Sequence, residues 1–398
     1  MNNYRLHHVD ALRGFALLGI LAVNIWSFAD PYFSSGMNNP RYHEVLDVAV
    51  RFMTTLLFEA KFYLLFSFLF GYSFTLQMAA AERAGAAFRP RMLRRSAGLV
   101  VLGVLHGCLL FYGDILNLYG LLCLLLVALH ERLRRTAEAG AVLLMVAALM
   151  LVVLGVLVML TPEAAAPDLA GVSAKLAAFH GGAGSTLAYT SGEFPGIAAL
   201  LMFGQGPSAL AMFLFGLGAG RLGLLQSVDA FRPLVAPILR LGAMLGLGGA
   251  LLYAAASAFA PGGALILFAT ALSYLTAPLL TAAYGVGMML LFESRYGARV
   301  VAALAPMGKL ALSNYLLQSL VMALLFTGYG LGLCDKLSPI AVIGLVPVIY
   351  LAQMALSAWW TTRHVYGPAE WVLRAITNWN VVRSGEPNES DVKSKSGD

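Results

Sequence analysis

Long apolar runs, separated by short polar segments, dominate the chain. Each run is about 20 residues long, the length that an α-helix needs to cross the hydrocarbon core of a bilayer. The pattern predicts an all-α, polytopic transmembrane helical bundle of about ten spans. We place these spans at 11–30, 61–81, 96–113, 115–130, 139–161, 205–222, 234–258, 264–292, 308–330 and 338–360.

Two partly amphipathic segments accompany the spans. We expect an interfacial helix at 44–58 and another helix at 365–378, after the last span. A long loop at 162–195 divides a single membrane domain, residues 1–378, into two halves of about five spans. Residues 379–398 are expected to be a disordered polar tail.

The composition and the distribution of charge support this organisation. Hydrophobic residues make up 60% of the 398 positions and charged residues 12%, too few charges for the surface of a soluble domain of this length. The segments 81–95 and 131–135 are strongly basic, whereas 162–195 holds Lys175 as its only Lys or Arg. The positive-inside rule therefore predicts that both termini lie in the cytoplasm and that 162–195 is external. Topology also explains the net charge of +6, so we expect no nucleic acid as a partner.

The cysteines and the short motifs exclude several classes of site. Cys108, Cys123 and Cys334 lie in or beside apolar runs, and their spacing is neither that of a disulfide framework nor that of a metal site. We expect no metal. The sequence also lacks the P-loop, HExxH and GxSxG motifs.

Charged and amide residues at the start of the chain define a first candidate cluster. Asp10 and Arg13 are three residues apart and share a helix face, and Asn24 returns to that face about 16 Å further along the helix. A polar stripe of this kind indicates a lined cavity. An interfacial Asp–Arg pair with an Asn that bonds a neighbouring helix is the structural alternative.

Glu59 and Lys61 stand at the external entrance to the second span. They are two residues apart, so a regular helix does not bring them together and each needs another partner. We regard both as candidate substrate-binding residues, with snorkelling interfacial charges as the alternative.

His106 lies near the middle of an apolar run, with Asp114 about 12 Å further along the rise. Histidine exchanges a proton near neutral pH, so His106 is a candidate general base. The alternatives are a structural hydrogen bond for His106 and a helix cap for Asp114.

Two candidate binding groups lie near the C-terminal end. Lys309 enters the ninth span at its cytoplasmic side, and Asn314 and Gln318 share one helix face four residues apart. They either bind a polar ligand or join helices. Further on, Glu370 and Arg374 are spaced to pair at i,i+4 on a surface helix, from which Arg374 could reach a phosphate.

Several blocks together resemble the YeiB family, a bacterial inner-membrane family named for a domain of unknown function (number 418). The blocks are RLHHVDALRGFALLGILAVNI, KFYLLFSFLFGYSF, GVLHGCLLFYGDILNLYG, MFLFGLGAGRLGLL, GKLALSNYLLQSL and YGPAEWVLRAIT, in order from residue 5 to about 378. The resemblance implies a multi-pass protein of the bacterial plasma (inner) membrane.

The opening of the chain is also similar to a wider group of transmembrane acyltransferases. Asp10, Arg13, Gly14 and Asn24 carry this similarity to heparan-alpha-glucosaminide N-acetyltransferase and the acyltransferase family 3 proteins. Those enzymes are thought to use cytoplasmic acyl-CoA and to modify sugars at the far face. The histidine that they carry near the outer end of the first span is absent here, where Asp30 stands instead.

Two functional hypotheses follow. In the first, acyl-CoA is the donor substrate of an acyltransferase in which His106, Asn24 and Asp114 are catalytic and the other candidates bind substrate. In the second, the chain transports or exports a small polar or amphiphilic solute, with His106, Asp114 and Glu59 as proton-coupling groups. The expected partners are membrane lipids and a small-molecule or glycan acceptor, and a homodimer remains open.

Overall fold

A computed structural model describes residues 3–33, 35–133, 135–161, 167–226 and 228–378. Over these residues the regular structure is entirely helical and includes a 3-10 turn at 224–226 and a π-helical turn at 242–246. The α-helices are α1 (Asn3–Ala29), α2 (Val45–Leu57), α3 (Lys61–Arg83), α4 (Phe88–Leu109), α5 (Leu116–Leu129), α6 (Thr136–Leu160), α7 (Leu169–His180), α8 (Ala183–Gly204), α9 (Gly206–Arg221), α10 (Val228–Leu241), α11 (Leu247–Phe259), α12 (Ala264–Phe292), α13 (Gly297–Lys309), α14 (Ala311–Phe326), α15 (Pro339–Thr361) and α16 (Pro368–Asn378).

The predicted class, a polytopic helical membrane protein, is confirmed. Seven of the described segments are long and apolar enough to cross a membrane, and the number is nine if two bent pairs each count as one span. The bent pairs are α8 with α9, at 54°, and α13 with α14, at 77°. The ten predicted spans include α5, whose 14 residues rise only about 21 Å, less than the bilayer core. The orientation of the termini stays a prediction.

The loop predicted at 162–195 is wrong over most of its length. Residues 162–166 lie outside the described part, but the segment that follows forms α7 and the first half of α8. Asp168 begins α7, because its carboxylate accepts a hydrogen bond from the Gly171 backbone N–H at 2.8 Å. The tail at 379–398 lies outside the described residues.

Several other predicted helices are confirmed within a few residues, whereas α4 begins eight residues before its predicted span and the span at 234–258 is divided between α10 and α11. The segment 44–58 forms α2, the segment 365–378 forms α16, and the span at 264–292 coincides with α12. Helices from both halves of the chain pack against one another: α3 lies on α9, and α1 on α13.

Two glycines set the closest helix contact near the start of α1. A Cβ atom on Gly14 would lie 2.3 Å from the Leu304 carbonyl oxygen, and one on Gly308 would lie 1.7 Å from the Asp10 carbonyl oxygen. Without side chains at these positions, α1 and α13 approach backbone to backbone. The contact places Lys309, the last residue of α13, beside the charged start of α1.

We expect Gly308→Ala to separate α1 from α13, because its methyl group has no space against the Asp10 carbonyl. The expected loss of unfolding free energy is about 1–3 kcal/mol, seen as a lower midpoint of thermal unfolding in detergent. Gly287→Ala in α12 is the control, since a Cβ atom there meets nothing within 4 Å. Equal midpoints for the two variants would contradict the close contact.

Candidate functional site

A cavity with a volume of about 230 Å³ lies among α1, α3, α4, α5, α13, α14 and α16. Most of its wall is apolar. Its charged lining residues are Arg13, Arg95, Lys309 and Glu370, and its aromatic ones are Phe66, Phe70, Phe74, Tyr119 and Tyr315. We call it the central cavity.

The central cavity is elongated along the helix axes. Its wall on α3 runs from Gln77 to Phe66, eleven residues or about 16 Å, and its wall on α1 runs from Arg13 to Ile20, about 10 Å. Arg13, Arg95 and Lys309 come from the same end, whereas Tyr119 and Tyr315 lie towards the other. The cavity therefore has a charged end and an aromatic end.

The predicted Asp10–Arg13 pair is present at the charged end. Arg13 Nη1 donates to Asp10 Oδ1 at 2.5 Å, and Arg13 Nη2 donates to Ser73 Oγ of α3 at 2.5 Å. These bonds fix the guanidinium against the cavity wall. The lining predicted to continue to Asn24 ends at Ile20, one turn earlier, because Asn24 is half-buried and does not line the central cavity.

Lys309 and Glu370 both lie at the break between α13 and α14 and line the central cavity. The exposed Lys309 ends α13, and Leu310 separates it from α14. The Glu370 carboxylate accepts hydrogen bonds from the backbone N–H groups of Leu312 at 2.7 Å and Ser313 at 3.0 Å, and from Ser313 Oγ at 2.5 Å. A carboxylate in this position satisfies the free donors at a helix N-terminus and interacts favourably with the helix dipole.

The predicted pairing of Glu370 with Arg374 is wrong. No ion pair between described residues joins the two, because the Glu370 carboxylate is directed to α14. The Arg374 guanidinium instead lies 4.6 Å from the centroid of the Tyr366 ring and does not line the central cavity.

Arg95 is a third cation of the cavity. It is half-buried on α4, and its side chain makes no hydrogen bond within the described part of the chain. The sequence analysis counted Arg95 only as one of the positive charges of the segment 81–95, which served to predict the membrane topology. Arg95 could have been singled out because it is the last arginine of that run and lies furthest into the following helix. Since Arg13 is tied to Asp10 and Glu370 to α14, Arg95 and Lys309 are the cations left to attract an anion.

His106 and Asp114 form a buried pair. His106 Nδ1 donates to Asp114 Oδ1 at 2.7 Å, and Asp114 Oδ2 accepts the Asn117 backbone N–H at 2.7 Å. Asp114 thus serves both as the partner of His106 and as a cap of α5. Gly103 lies against this turn, because a Cβ atom there would be 2.2 Å from the Asn117 nitrogen.

The hydrogen bond to Asp114 determines what His106 can do. Because a carboxylate accepts at Nδ1, this nitrogen carries a proton, and in the neutral imidazole the lone pair is then on Nε2. His106 is 4% exposed, and Nε2 has no hydrogen-bond partner among the described residues. A buried imidazole held in this tautomer is the arrangement of a general base.

Tyr315 connects the His106–Asp114 pair to the central cavity. Its ring centroid is 5.1 Å from that of His106, and the same ring lines the aromatic end of the cavity. Its hydroxyl also lacks a hydrogen bond of ordinary geometry to any described group. His106 and Asp114 do not themselves line the cavity. Sequence reasoning missed Tyr315, since one tyrosine among the aromatic residues of an apolar span has no distinctive signal.

Glu59 and Lys61 do not join this site. Lys61 is 1% exposed and its Nζ donates to the Thr55 carbonyl at 2.9 Å, while Glu59 Oε1 accepts from Tyr253 Oη at 2.9 Å. Between them, Ala60 adopts a left-handed conformation with φ of 67°. The two charges hold the junction of α2 and α3.

The amides of Asn314 and Gln318 join helices. Asn314 Nδ2 donates to Ser357 Oγ at 2.9 Å, and Gln318 Nε2 donates to Gln353 Oε1 at 3.1 Å. Both acceptors belong to α15, and neither amide lines the central cavity. The structural alternative therefore describes these residues better than ligand binding.

Comparison with known proteins gives a family but no activity. Residues 219–380 match the family model described as "Protein of unknown function (DUF418)". The uncharacterized protein YxaH of Bacillus subtilis (strain 168) is 36% identical over 148 residues, 36% of this chain and 37% of that protein. The uncharacterized protein YeiB of Escherichia coli (strain K12) is 31% identical over 155 residues, 37% of this chain and 38% of that protein. The matched region thus spans little more than a third of these relatives.

We expect Glu370→Ala to destabilise the fold, because it leaves the N–H groups of Leu312 and Ser313 without their acceptor. A loss of about 1–3 kcal/mol should appear as a lower thermal midpoint in detergent. Glu370→Gln keeps one acceptor oxygen and should lose less. Glu193→Ala, at an exposed position of α8, is the control, and a Glu370→Ala midpoint equal to that of this control would contradict the capping role.

Proposed function

The chain belongs to the DUF418 family through its residues 219–380, and from this premise we propose that it is an acyltransferase of the bacterial inner membrane. It moves an acyl group from cytoplasmic acyl-CoA to a polar acceptor at or beyond the membrane. The observation that carries the proposal is the central cavity, which is cationic at one end, aromatic at the other and adjacent to a buried histidine–aspartate pair.

The two ends of the cavity match the two parts of an acyl-CoA. The donor carries phosphates at one end and an apolar acyl group at the other. Arg95 and Lys309 form charge-assisted hydrogen bonds with the phosphates, while the acyl chain lies along the apolar wall that includes Phe66 and Tyr119. Arg13 adds positive potential but stays bonded to Asp10 and Ser73.

The chemical step uses His106 as the general base. Its Nε2 takes the proton from an acceptor hydroxyl or amine, and the acceptor atom attacks the thioester carbonyl carbon. The carbon–sulfur bond then breaks, and the CoA thiolate leaves with the proton that His106 returns. Asp114 holds the Nδ1 proton and stabilises the imidazolium that forms in between.

In this scheme Tyr315, rather than Asn24 or Asn314, stabilises the oxyanion. Neither amide lines the cavity, whereas the Tyr315 ring does, and its hydroxyl, beside Asp114, can turn to donate to the oxyanion of the tetrahedral intermediate. Because the Tyr315 ring lies against that of His106, the thioester reaches Nε2 only when this ring turns aside. Movement of Tyr315 is therefore part of the proposed cycle.

Transport of an anionic amphiphile is the second candidate. Helices broken at a ligand cavity are a recurrent feature of secondary transporters, and the α13–α14 break lies in the wall of the central cavity. The His106–Asp114 pair would then couple to protons. Glu59, the third coupling group suggested by the sequence, is bonded to Tyr253 away from the cavity.

We expect Arg95→Gln and Lys309→Gln each to weaken palmitoyl-CoA binding about tenfold, or about 1.4 kcal/mol, because each removes one cation from the phosphates. Isothermal titration of the purified protein in nanodiscs measures this. Arg89→Gln, an exposed arginine of the same helix as Arg95, is the matched control and should bind like the wild type. Equal affinities for all variants would contradict the assigned donor site.

We expect His106→Ala to keep palmitoyl-CoA affinity while the release of CoA thiol falls at least about 100-fold, because the general base is lost. The thiol is measured with purified protein and a bacterial membrane extract as the source of acceptor. Unchanged thiol release would remove His106 from the mechanism. Two results together would favour the transporter. The purified protein would bind no palmitoyl-CoA, and proteoliposomes containing it would import a labelled phosphate-bearing amphiphile in the absence of CoA.

A further inference from the structure

A second large cavity, about 530 Å³ in volume, lies between α3, α6, α9, α10 and α12. We call it the lateral cavity. It is separate from the central cavity, and Leu69 lies in the wall of both. The mechanism proposed above makes no use of it.

The walls of the lateral cavity require an apolar occupant. They are formed by side chains such as Leu65, Phe68, Met212, Ile238 and Met289. An apolar cavity does not hold water stably, and an empty one of this size would forfeit the dispersion contacts of its lining. Because several of its helices are membrane spans, the hydrocarbon available to fill it is an acyl chain of the bilayer.

One end of the lateral cavity is polar and positively charged. Arg135, Arg221 and Glu138 lie there, two cations against one carboxylate. Arg221 donates to the carbonyls of His130 at 2.6 Å and Leu133 at 2.7 Å, so its side chain is fixed. The Arg135 side chain makes no hydrogen bond to described groups and stands directly before the first turn of α6. A guanidinium beside free helix N–H groups suits a phosphate.

We propose that the lateral cavity is a binding site for an anionic glycerophospholipid of the surrounding bilayer. One acyl chain lies between α3, α9 and α12, and the phosphate contacts Arg135. This lipid would be a bound structural ligand, independent of the acyl donor assigned to the central cavity.

Gly285 permits a direct test. It lies on α12 in the wall of the lateral cavity, and a Cβ atom there meets only Leu65 Cδ1, at 3.8 Å. Gly285→Leu therefore places a side chain in the cavity without a backbone clash. Gly287→Leu is the matched control, because it lies on the same helix, meets nothing within 4 Å and does not line the cavity.

The experiment is native mass spectrometry after reconstitution in vesicles of equal phosphatidylglycerol and phosphatidylethanolamine. We expect one retained phosphatidylglycerol on the wild type and on Gly287→Leu, and at least fivefold less on Gly285→Leu. Arg135→Gln should lower the preference for phosphatidylglycerol at least threefold while the thermal midpoint stays within a few degrees. Equal retention by Gly285→Leu and Gly287→Leu would overturn the site, and an unchanged headgroup preference in Arg135→Gln would overturn the assigned phosphate contact.

Discussion

The break between α13 and α14 is the feature on which the candidate site depends. A helix that bends by 77° leaves backbone donors without intrahelical partners, and within a membrane bundle such groups must be satisfied by protein. The Glu370 carboxylate of α16 satisfies two of them. The bend also ends α13 at Lys309, beside Asp10 and Arg13, and leaves the space that becomes the central cavity.

The close contact of α1 with α13 and the buried pair at His106 complete this arrangement. Gly14 and Gly308 allow the two backbones to meet, so the cations of α1 and α13 share one end of the cavity. At the other end, Tyr315 separates the cavity from the imidazole of His106. The cations, the apolar wall and the candidate base therefore follow one another along the central cavity. This order is the physical basis for preferring acyl transfer.

Much of the architecture could be predicted, because a span must be both long and apolar. This requirement located α12 to the residue and α3, α6 and α15 within a few residues. It failed at α7 and the first half of α8, where Ala, Gly and Ser residues form helices without a long apolar run. It also did not predict α13, or the bend at Leu310 that joins α13 to α14, although Pro306 and Gly308 stand close to that bend.

The candidate site was harder to predict than the fold. Polar residues in apolar runs pointed to Arg13 and Lys309, which line the central cavity, and to His106 and Asp114, which form a buried pair. The same signal pointed equally to Lys61 and Gln318, which are bonded to Thr55 and Gln353 instead. A polar side chain in a span must find a partner, but the sequence does not reveal whether that partner is a ligand or a distant helix. The role proposed for Tyr315 rests entirely on its position in the fold, which the sequence does not reveal.

The most direct test of the account is a cryo-electron microscopy structure of the protein in nanodiscs with palmitoyl-CoA. We expect ligand density in the central cavity, with phosphate oxygens within hydrogen-bond distance of Arg95 and Lys309 and the thioester close to Tyr315. A central cavity without ligand density, with palmitoyl-CoA bound elsewhere or not at all, would contradict the account.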